Sequence, residues 1–180
     1  MSSTVTNQAQ QARALCEQGR WAEVLAFARQ WQAEDPGQAK AFFYEGVALV
    51  SMGHYVEAET AYYRALALDE KDFKTWNNLA ALLFDALKQP VEGAKCLAQA
   101  MQIDPGNKLG WANLASMHGQ MGQHAQALDC AERALALDPL MVEAHLHRGR
   151  AAQALGKPEI VRAASEALSQ VPPGKFKRAR

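Results

Sequence analysis

Three features are scarce in this chain of 180 residues, and each scarcity argues against a class of protein. The three cysteines, Cys16, Cys96 and Cys130, are odd in number and far apart, which disfavours a disulfide framework or a zinc site. No stretch approaches the roughly 18 consecutive apolar residues of a membrane helix. The opening MSSTVTNQAQ is polar and uncharged, without the apolar centre of an export signal. We therefore expect a cytoplasmic protein without a membrane span.

An excess of charge of one sign is also lacking. The chain has 19 Lys and Arg against 19 Asp and Glu, a formal net charge of zero. Four of the basic residues lie in the last six positions, Lys175–Arg180, which leaves 15 basic against 19 acidic residues, or −4, for the body. A mildly acidic body makes nucleic acid an unlikely partner. The basic tail either binds acidic partners or anionic surfaces, or is a disordered solubilising end, and the sequence leaves both open.

Motifs that carry catalytic chemistry are missing as well. No glycine-rich phosphate loop, Gly-x-Ser-x-Gly elbow or kinase signature occurs. The five histidines lack the spacing of zinc sites, and His145 and His147, two positions apart, point to different faces of a helix. We expect no enzymatic activity, no cofactor and no bound metal.

The chain does contain an internal repeat of 34 to 35 residues. The stretches AYYRALALD at 61–69, AQAMQIDP at 98–105 and AERALALDP at 131–139 share one pattern. Four further columns keep the same step, and repeats of this period indicate a solenoid. The columns comprise Pro36, Glu70, Pro105, Pro139 and Pro173 at the repeat ends; Gly46, Ala80, Ala115 and Gly149 as small residues; Phe42, Trp76, Trp111 and His145 as mostly aromatic residues; and Gly19, Gly53, Gly122 and Gly156 at the middle of the repeat.

Each repeat predicts two amphipathic helices of about 14 residues, because apolar residues recur with helical spacing. The mid-repeat glycine ends the first helix, and the Asp-Pro pair ends the second. Small residues let the paired helices approach closely, and stacked neighbours bury faces that a lone hairpin would expose. In the third repeat, 85–90 replaces the glycine turn and adds one residue.

The patterns beginning Trp76-x-x-Leu79-Ala80 and Trp111-x-x-Leu114-Ala115 resemble the tetratricopeptide repeat. The resemblance implies an all-α fold, an α-solenoid in which antiparallel helix hairpins form a right-handed superhelix and the first helices line a concave groove. We predict about five repeats, at 5–38, 39–72, 73–107, 108–141 and 142–175. They would form a single solenoid over 5–171, between a flexible N-terminus at 1–4 and a basic C-terminal tail at 172–180.

The helical phase of the first helices predicts a peptide-binding groove. Asn78 and Asn113 resemble the groove asparagines of some family members, whose amides can pair with a peptide backbone whatever its side chains. The alternative is that both are merely solvated. The chaperone-binding pattern of the family is not matched, since only the middle asparagine of its cationic clamp is present. The predicted groove residues are Lys40, Tyr44, Lys74, Asn77, Asn78, Asn113, Ser116, Gln120, His147 and Arg150.

Two functions remain open. The first is a non-enzymatic interaction module, an adaptor or a chaperone-like protein. It would bind a peptide segment of a protein partner in its concave groove. The second is a self-assembling structural scaffold, because no capping helix follows the last repeat and its apolar face invites a homo-oligomer. The residues of that predicted self-association face are Ile160, Val161, Ala164 and Leu168.

Overall fold

The computed structural model describes residues 2–170, with side chains described from residue 7 onward, and these residues form helical hairpins joined by short turns. The all-α fold of repeated antiparallel helix hairpins predicted from the sequence is confirmed. The elements of this range are α1 (Ser2–Glu17), α2 (Trp21–Glu34), α3 (Ala39–Ser51), α4 (Tyr55–Leu68), α5 (Phe73–Ala81), a π-helical segment (Leu82–Ala86), α6 (Pro90–Ile103), α7 (Lys108–Gln120), α8 (His124–Leu137), α9 (Val142–Ala154) and α10 (Pro158–Ser169).

The helices fall into two compact units, Met1–Cys96 and Leu97–Arg180, which divide within α6. In the first unit, each helix from α1 to α4 packs against the next, and α1 also contacts α3. In the second unit, α7 to α10 pack in the same order, and α7 also contacts α9. Helix α1 begins at Ser2, inside the segment 1–4 that we predicted to be flexible. The single solenoid over 5–171 stays a prediction, and the basic tail lies outside the described residues.

Glycine ends the first helix of four hairpins, as predicted. Gly19, Gly53, Gly122 and Gly156 all have φ between +67° and +82°, the left-handed region that glycine adopts without steric cost. These four glycines therefore explain why the same residue recurs in the middle of the repeat.

The third repeat turns by a different device. Its first helix widens into the π-helical segment, and Lys88 then takes the left-handed conformation with φ 56°. The amide of Gln89 donates to the carbonyl oxygen of Leu83 at 2.8 Å and closes the turn. A π-helical turn holds one more residue than an α-helical turn, so the additional residue is absorbed within the helix.

Two glycines mark places where helices meet closely. A Cβ atom on Gly46 would lie 2.5 Å from the ring of Tyr62, which is only 2% exposed. A Cβ atom on Gly93 would lie 2.9 Å from the carbonyl oxygen of Ala80. Neither position has room for a side chain.

Tryptophans of the aromatic column form hydrogen bonds to the turns between repeats. The indole nitrogen of Trp76 donates to the carbonyl oxygen of Glu70 at 2.8 Å, and that of Trp111 donates to Pro105 at 2.9 Å. Each bond joins a residue early in a first helix to the loop six residues before it. The column therefore supplies a hydrogen bond as well as apolar surface.

Candidate peptide-binding grooves

The second unit contains a groove of about 320 Å³ between α7, α8 and α9, called here the Arg150 groove. Its deepest side chains are the buried alanines Ala115, Ala127 and Ala151. Small residues at these positions leave open the space between the helices. The remaining lining residues are Ser116, Gly119, Gln120, His124, His147 and Arg150.

The polar residues of the Arg150 groove are mainly hydrogen-bond donors. The amide nitrogen of Gln120 donates to the hydroxyl oxygen of Ser116 at 3.3 Å, which leaves the hydroxyl proton free to point elsewhere. Arg150 is exposed, and within the described part of the chain it makes no ion pair. No Asp or Glu lines the groove, so its charge is positive.

The half-buried imidazole of His147 has a pKa below its ordinary value. Burial is the main cause, because a charged ring loses hydration there, and the neighbouring Arg150 acts in the same direction. Glu143, one turn earlier on α9, partly opposes both by raising the pKa. Near neutral pH His147 is therefore an uncharged ring that can donate or accept a hydrogen bond.

The first unit contains a groove of about 400 Å³, called here the Asp85 groove. It is apolar and aromatic, and Asp85 is the one charged residue among its lining side chains. Asp85 belongs to the π-helical segment, so the irregular turn of the third repeat forms part of the wall. The lining residues are Val47, Val50, Ser51, Tyr55, Tyr62, Asn78, Ala81, Leu82, Asp85 and Ala86.

Asn78 has an intramolecular partner in the Asp85 groove. Its side chain shares a hydrogen bond with the hydroxyl of Tyr62, and this bond counteracts the strong rise that burial causes in the pKa of that phenol. Only part of the amide of Asn78 is therefore free for a ligand. Asn113, by contrast, is exposed, and no hydrogen bond of its side chain occurs among the described residues.

Some of the predicted groove residues line the Arg150 groove or the Asp85 groove, and the others line neither groove. Ser116, Gln120, His147 and Arg150 come together in the Arg150 groove, and Asn78 lies in the Asp85 groove. The others are placed outside both linings: Lys40, Tyr44, Lys74, Asn77 and Asn113.

Tyr44 has a structural role that its groove position did not predict. Its half-buried hydroxyl donates to the carbonyl oxygen of Ala9 at 3.1 Å and so ties α3 to α1. The hydroxyl proton is thus already used within the chain.

Residues from the second helices were missed by sequence reasoning. Tyr55 and His124 are the first residues of α4 and α8 and line the Asp85 and Arg150 grooves respectively. The two occupy the same position in their repeats, 69 residues apart. This correspondence is the sequence feature from which both could have been predicted as groove residues. The predicted groove residues all lie on first helices, so the prediction did not include these two.

The predicted self-association face differs from the expectation at Ala164. Ala164 is only 2% exposed, and a Cβ atom on Gly149 would touch it at 3.4 Å, so it faces the interior of the α9–α10 hairpin. Including Ala164 in an exposed face was wrong, because its side of α10 packs on α9. Ile160 packs against the buried cluster of Ala127, Leu128 and Ala151. Val161 and Leu168 are half-buried on α10, and their part in self-association stays a prediction.

The cysteines in the described structure are unpaired. Burial raises the pKa of Cys96 and of Cys130 to about 11, so both stay protonated thiols near neutral pH. Across residues 2–170, no group of three or more His, Cys, Asp and Glu side chains is arranged to hold a metal ion. Within the same range, no helix combines the length and apolar character needed to cross a membrane.

These hairpins and grooves define a helical-repeat protein, and comparison with known proteins identifies the repeat. Residues 109–139 match the family model of the tetratricopeptide repeat. A stretch of 89 residues is 32% identical to the human (Homo sapiens) protein O-mannosyl-transferase TMTC3. This stretch is 49% of the chain but only 10% of that much longer relative.

Solved structures with the same fold cover nearly the whole chain. A crystal structure of MamA has a TM-score of 0.80 at 18% identity, covering 100% of this chain and 99% of MamA. PilF of Pseudomonas aeruginosa has a TM-score of 0.79 at 21% identity, covering 94% and 77%. YrrB, described as a TPR protein with an unusual peptide-binding site, has a TM-score of 0.75 at 18% identity, covering 91% and 86%. One repeat of the chain thus matches the tetratricopeptide-repeat model, and the fold of the chain is that of these solved structures.

Proposed function

We propose that this protein is a non-enzymatic adaptor that binds peptide segments of a partner protein in the Arg150 and Asp85 grooves. The observation that carries the proposal is the convergence of Ser116, Gln120, His147 and Arg150 in one groove. Helical phase and the repeat resemblance together predicted these residues as peptide contacts, and they lie together over a base of small side chains.

The composition of both grooves suits an extended peptide. Alanine and glycine let a backbone approach the helices, while hydroxyl, amide and imidazole groups along the walls can pair with its N–H and C=O groups. The volumes of about 320 and 400 Å³ fall in the range of small-ligand sites, and each would hold a few residues. The peptide-binding site named for YrrB supports the same use of this fold.

A reaction is not proposed, because neither groove holds the convergent acid, base and nucleophile that catalysis needs. The likeness to protein O-mannosyl-transferase TMTC3 covers only 10% of that protein. We propose that the part shared by the two chains is the helical repeats.

The experiment is retention of the labelled protein on an array of random extended peptides. Gln120→Trp fills the Arg150 groove with an indole and should abolish retention of the peptides that bind there. Gln120 is exposed, so its replacement should leave the fold intact. The matched control is Gln126→Trp, an exposed position on α8 outside the groove lining, which should retain the same peptides as the wild type.

Retention that is unchanged by Gln120→Trp, and unchanged by Ser51→Trp in the Asp85 groove, would place any binding elsewhere on the molecule. Circular dichroism of every variant establishes that each one is folded.

A further inference from the structure

We propose that the Asp85 groove binds an arginine side chain of the partner peptide, with Asp85 as the residue that selects it. This inference rests on the proposed peptide binding and adds the chemical class of the residue that is recognised. The occupant is a segment of a partner protein that carries arginine, and the carboxylate of Asp85 is the group that its guanidinium meets.

The first argument is the backbone irregularity that holds Asp85 at the groove wall. Asp85 lies in the π-helical segment Leu82–Ala86, and the turn that follows contains Lys88 at φ 56°, a conformation that costs a non-glycine residue free energy. The four other hairpins within residues 2–170 turn at a glycine instead. Single π-helical turns of this kind are frequent at functional sites. Here the irregular segment supplies the groove with its one charged residue.

The second argument is that no described side chain pairs with the carboxylate of Asp85. This carboxylate is exposed, and within residues 7–170 it makes neither an ion pair nor a hydrogen bond. The ammonium group of the nearby Lys88 donates instead to the backbone carbonyl oxygen of Asp85, at 2.6 Å. The carboxylate is therefore available to a cation of a ligand.

The third argument is that the polar groups of this groove favour a ligand that donates hydrogen bonds. No Lys, Arg or His lines the groove. The hydroxyl of Ser51 donates to the carbonyl oxygen of Val47 at 3.0 Å, so its proton is used and its oxygen is left to accept. A guanidinium group carries only donors, arranged in a planar fork that matches a carboxylate. Its hydrogen-bonding groups therefore complement those of the wall.

The fourth argument distinguishes arginine from lysine. Most of the remaining wall is apolar or aromatic, and the ring of Tyr55 is 40% exposed there. A guanidinium is more weakly hydrated than an ammonium and can stack on an aromatic ring, so it loses less on leaving water. The aliphatic stem of arginine also covers apolar surface, which Val47, Val50 and Leu82 provide. An ammonium would reach the same carboxylate at a larger cost of dehydration.

The Arg150 groove of the second unit provides an internal contrast. It has no acid among its lining residues and contains a cation of its own, Arg150. An arginine side chain of a peptide would be repelled by Arg150 in that groove and attracted by Asp85 in the other. The preference therefore belongs to particular side chains, since both grooves are built from the same kind of helical hairpin.

The test uses the full chain on an array of random peptides that are attached through their C-termini and acetylated at their N-termini, so that they carry no terminal charge. Each peptide is made in four versions, with arginine, lysine, citrulline or norleucine at its central position. Citrulline keeps the size and shape of arginine but is uncharged. Anisotropy titrations of labelled copies of the retained peptides give the dissociation constants.

Three variants of the full chain identify the group that is recognised and the occupant. Asp85→Asn keeps the size of the side chain and removes its charge. Glu57→Gln is the matched control, because it removes the same charge from an exposed position on α4 outside the lining of the Asp85 groove. Arg178→Gln/Arg180→Gln removes the arginines of the chain's own basic segment, which is the other occupant to be tested. Circular dichroism establishes that each variant is folded.

The expected result is that the arginine versions bind about tenfold or more tightly than the citrulline versions, with the lysine versions between them. Asp85→Asn should remove this preference, whereas Glu57→Gln should keep it. Ser51→Trp, which fills the Asp85 groove, should abolish retention of the arginine versions, and Gln120→Trp in the Arg150 groove should not.

Four results would contradict the inference. Equal binding of the arginine and citrulline versions by the wild type would overturn it and leave peptide binding in place. Equal binding of the arginine and lysine versions would overturn the choice of arginine. Tighter binding by Arg178→Gln/Arg180→Gln than by the wild type would overturn the partner as the occupant, because the chain's own arginines would then compete for the groove. Retention of no peptide would overturn both this inference and the proposed function.

Discussion

The imidazole Nε2 of His145 lies 2.8 Å from the carbonyl oxygen of Pro139, six residues before it. A carbonyl oxygen only accepts, so Nε2 must carry the proton of the ring. The bond reproduces the one that Trp111 makes to Pro105 at 2.9 Å, which explains how histidine can replace an aromatic residue of the repeat. The replacement is imperfect, because Nδ1 of His145 is buried without a hydrogen-bond partner.

His145→Trp is expected to stabilise the second unit relative to His145→Phe. Tryptophan restores the donor to the carbonyl of Pro139 and removes the unpaired Nδ1 atom, whereas phenylalanine supplies no donor. The difference should be about 1 kcal/mol in the free energy of unfolding, the typical net value of one hydrogen bond. Urea unfolding followed by circular dichroism measures it. Equal stability of the two variants would mean that the bond to Pro139 contributes nothing.

Gly46→Ala and Gly149→Ala are expected to change stability in opposite directions. The new methyl at Gly46 would lie 2.5 Å from the buried ring of Tyr62, and overpacking of this kind costs about 1–3 kcal/mol. At Gly149 the nearest atom is the Cβ of Ala164 at 3.4 Å, an ordinary contact, so the better helix propensity of alanine should add about 1 kcal/mol. Thermal and urea unfolding measure both changes. A stabilised Gly46→Ala variant would show that Tyr62 can move aside.

Lys88→Gly is expected to stabilise the chain by about 1 kcal/mol, because Lys88 is a non-glycine residue with φ 56°. Gly122→Ala is the reciprocal change. It places a side chain at φ +72° with no atom within 4 Å of the new Cβ, so it should cost about as much through backbone strain alone. Unfolding midpoints in urea test the pair. Loss of stability in Lys88→Gly would indicate that the bond from Lys88 Nζ to the carbonyl of Asp85 dominates.

Acidification is expected to destabilise the second unit through His147. Its pKa in the folded protein is lowered by burial and by Arg150, so the unfolded chain, near the ordinary value of 6.5, takes up the proton first. The free energy of unfolding should then fall as pH drops from above 6.5 through the lower folded pKa, and level off below it. The NMR titration of the His147 ring gives the midpoint, and His147→Gln should flatten the pH profile. A midpoint above 6.5 would contradict the prediction.

Asn78→Ala and Asn113→Ala are expected to differ in stability. Asn78 shares a hydrogen bond with the buried hydroxyl of Tyr62, so its removal should cost about 1 kcal/mol, whereas exposed Asn113 should be neutral. Tyr62→Phe removes the other partner, and a double-mutant cycle between Asn78 and Tyr62 isolates their coupling. Additive effects in that cycle would show that the bond has no energetic weight. Binding losses in Asn78→Ala must be compared with this cost before they are assigned to a ligand.

Most of the fold could be predicted because its determinants are local and recur. The turn glycines of four repeats act locally, and Gly46 meets Tyr62 within one hairpin, so one repeat predicts the next. The wide turn at Leu82–Ala86 could not be predicted, since one extra residue is compatible with a loop or with a bulge inside a helix. In the structure the bulge lies inside the helix, and Phe84 of the π-helical segment packs closely against Gly93, where an added Cβ would lie 3.0 Å from Phe84.

The candidate site was predictable to a smaller extent. Helical phase placed His147 and Arg150 on one groove because both lie on the same first helix. Phase within one helix cannot show what a neighbouring helix contributes, which is why Tyr55 and His124 were missed. It also cannot show that a side chain such as Tyr44 already donates its proton to another helix, at 3.1 Å from Ala9.

The π-helical segment at Leu82–Ala86 also bears on how such a chain can change in length. One added residue is accommodated within a single turn, and the following helix resumes at Pro90 with its close contact to Ala80 intact. The additional residue is therefore absorbed before α6 begins. The same segment also changes one groove wall, because it presents Asp85 to the Asp85 groove.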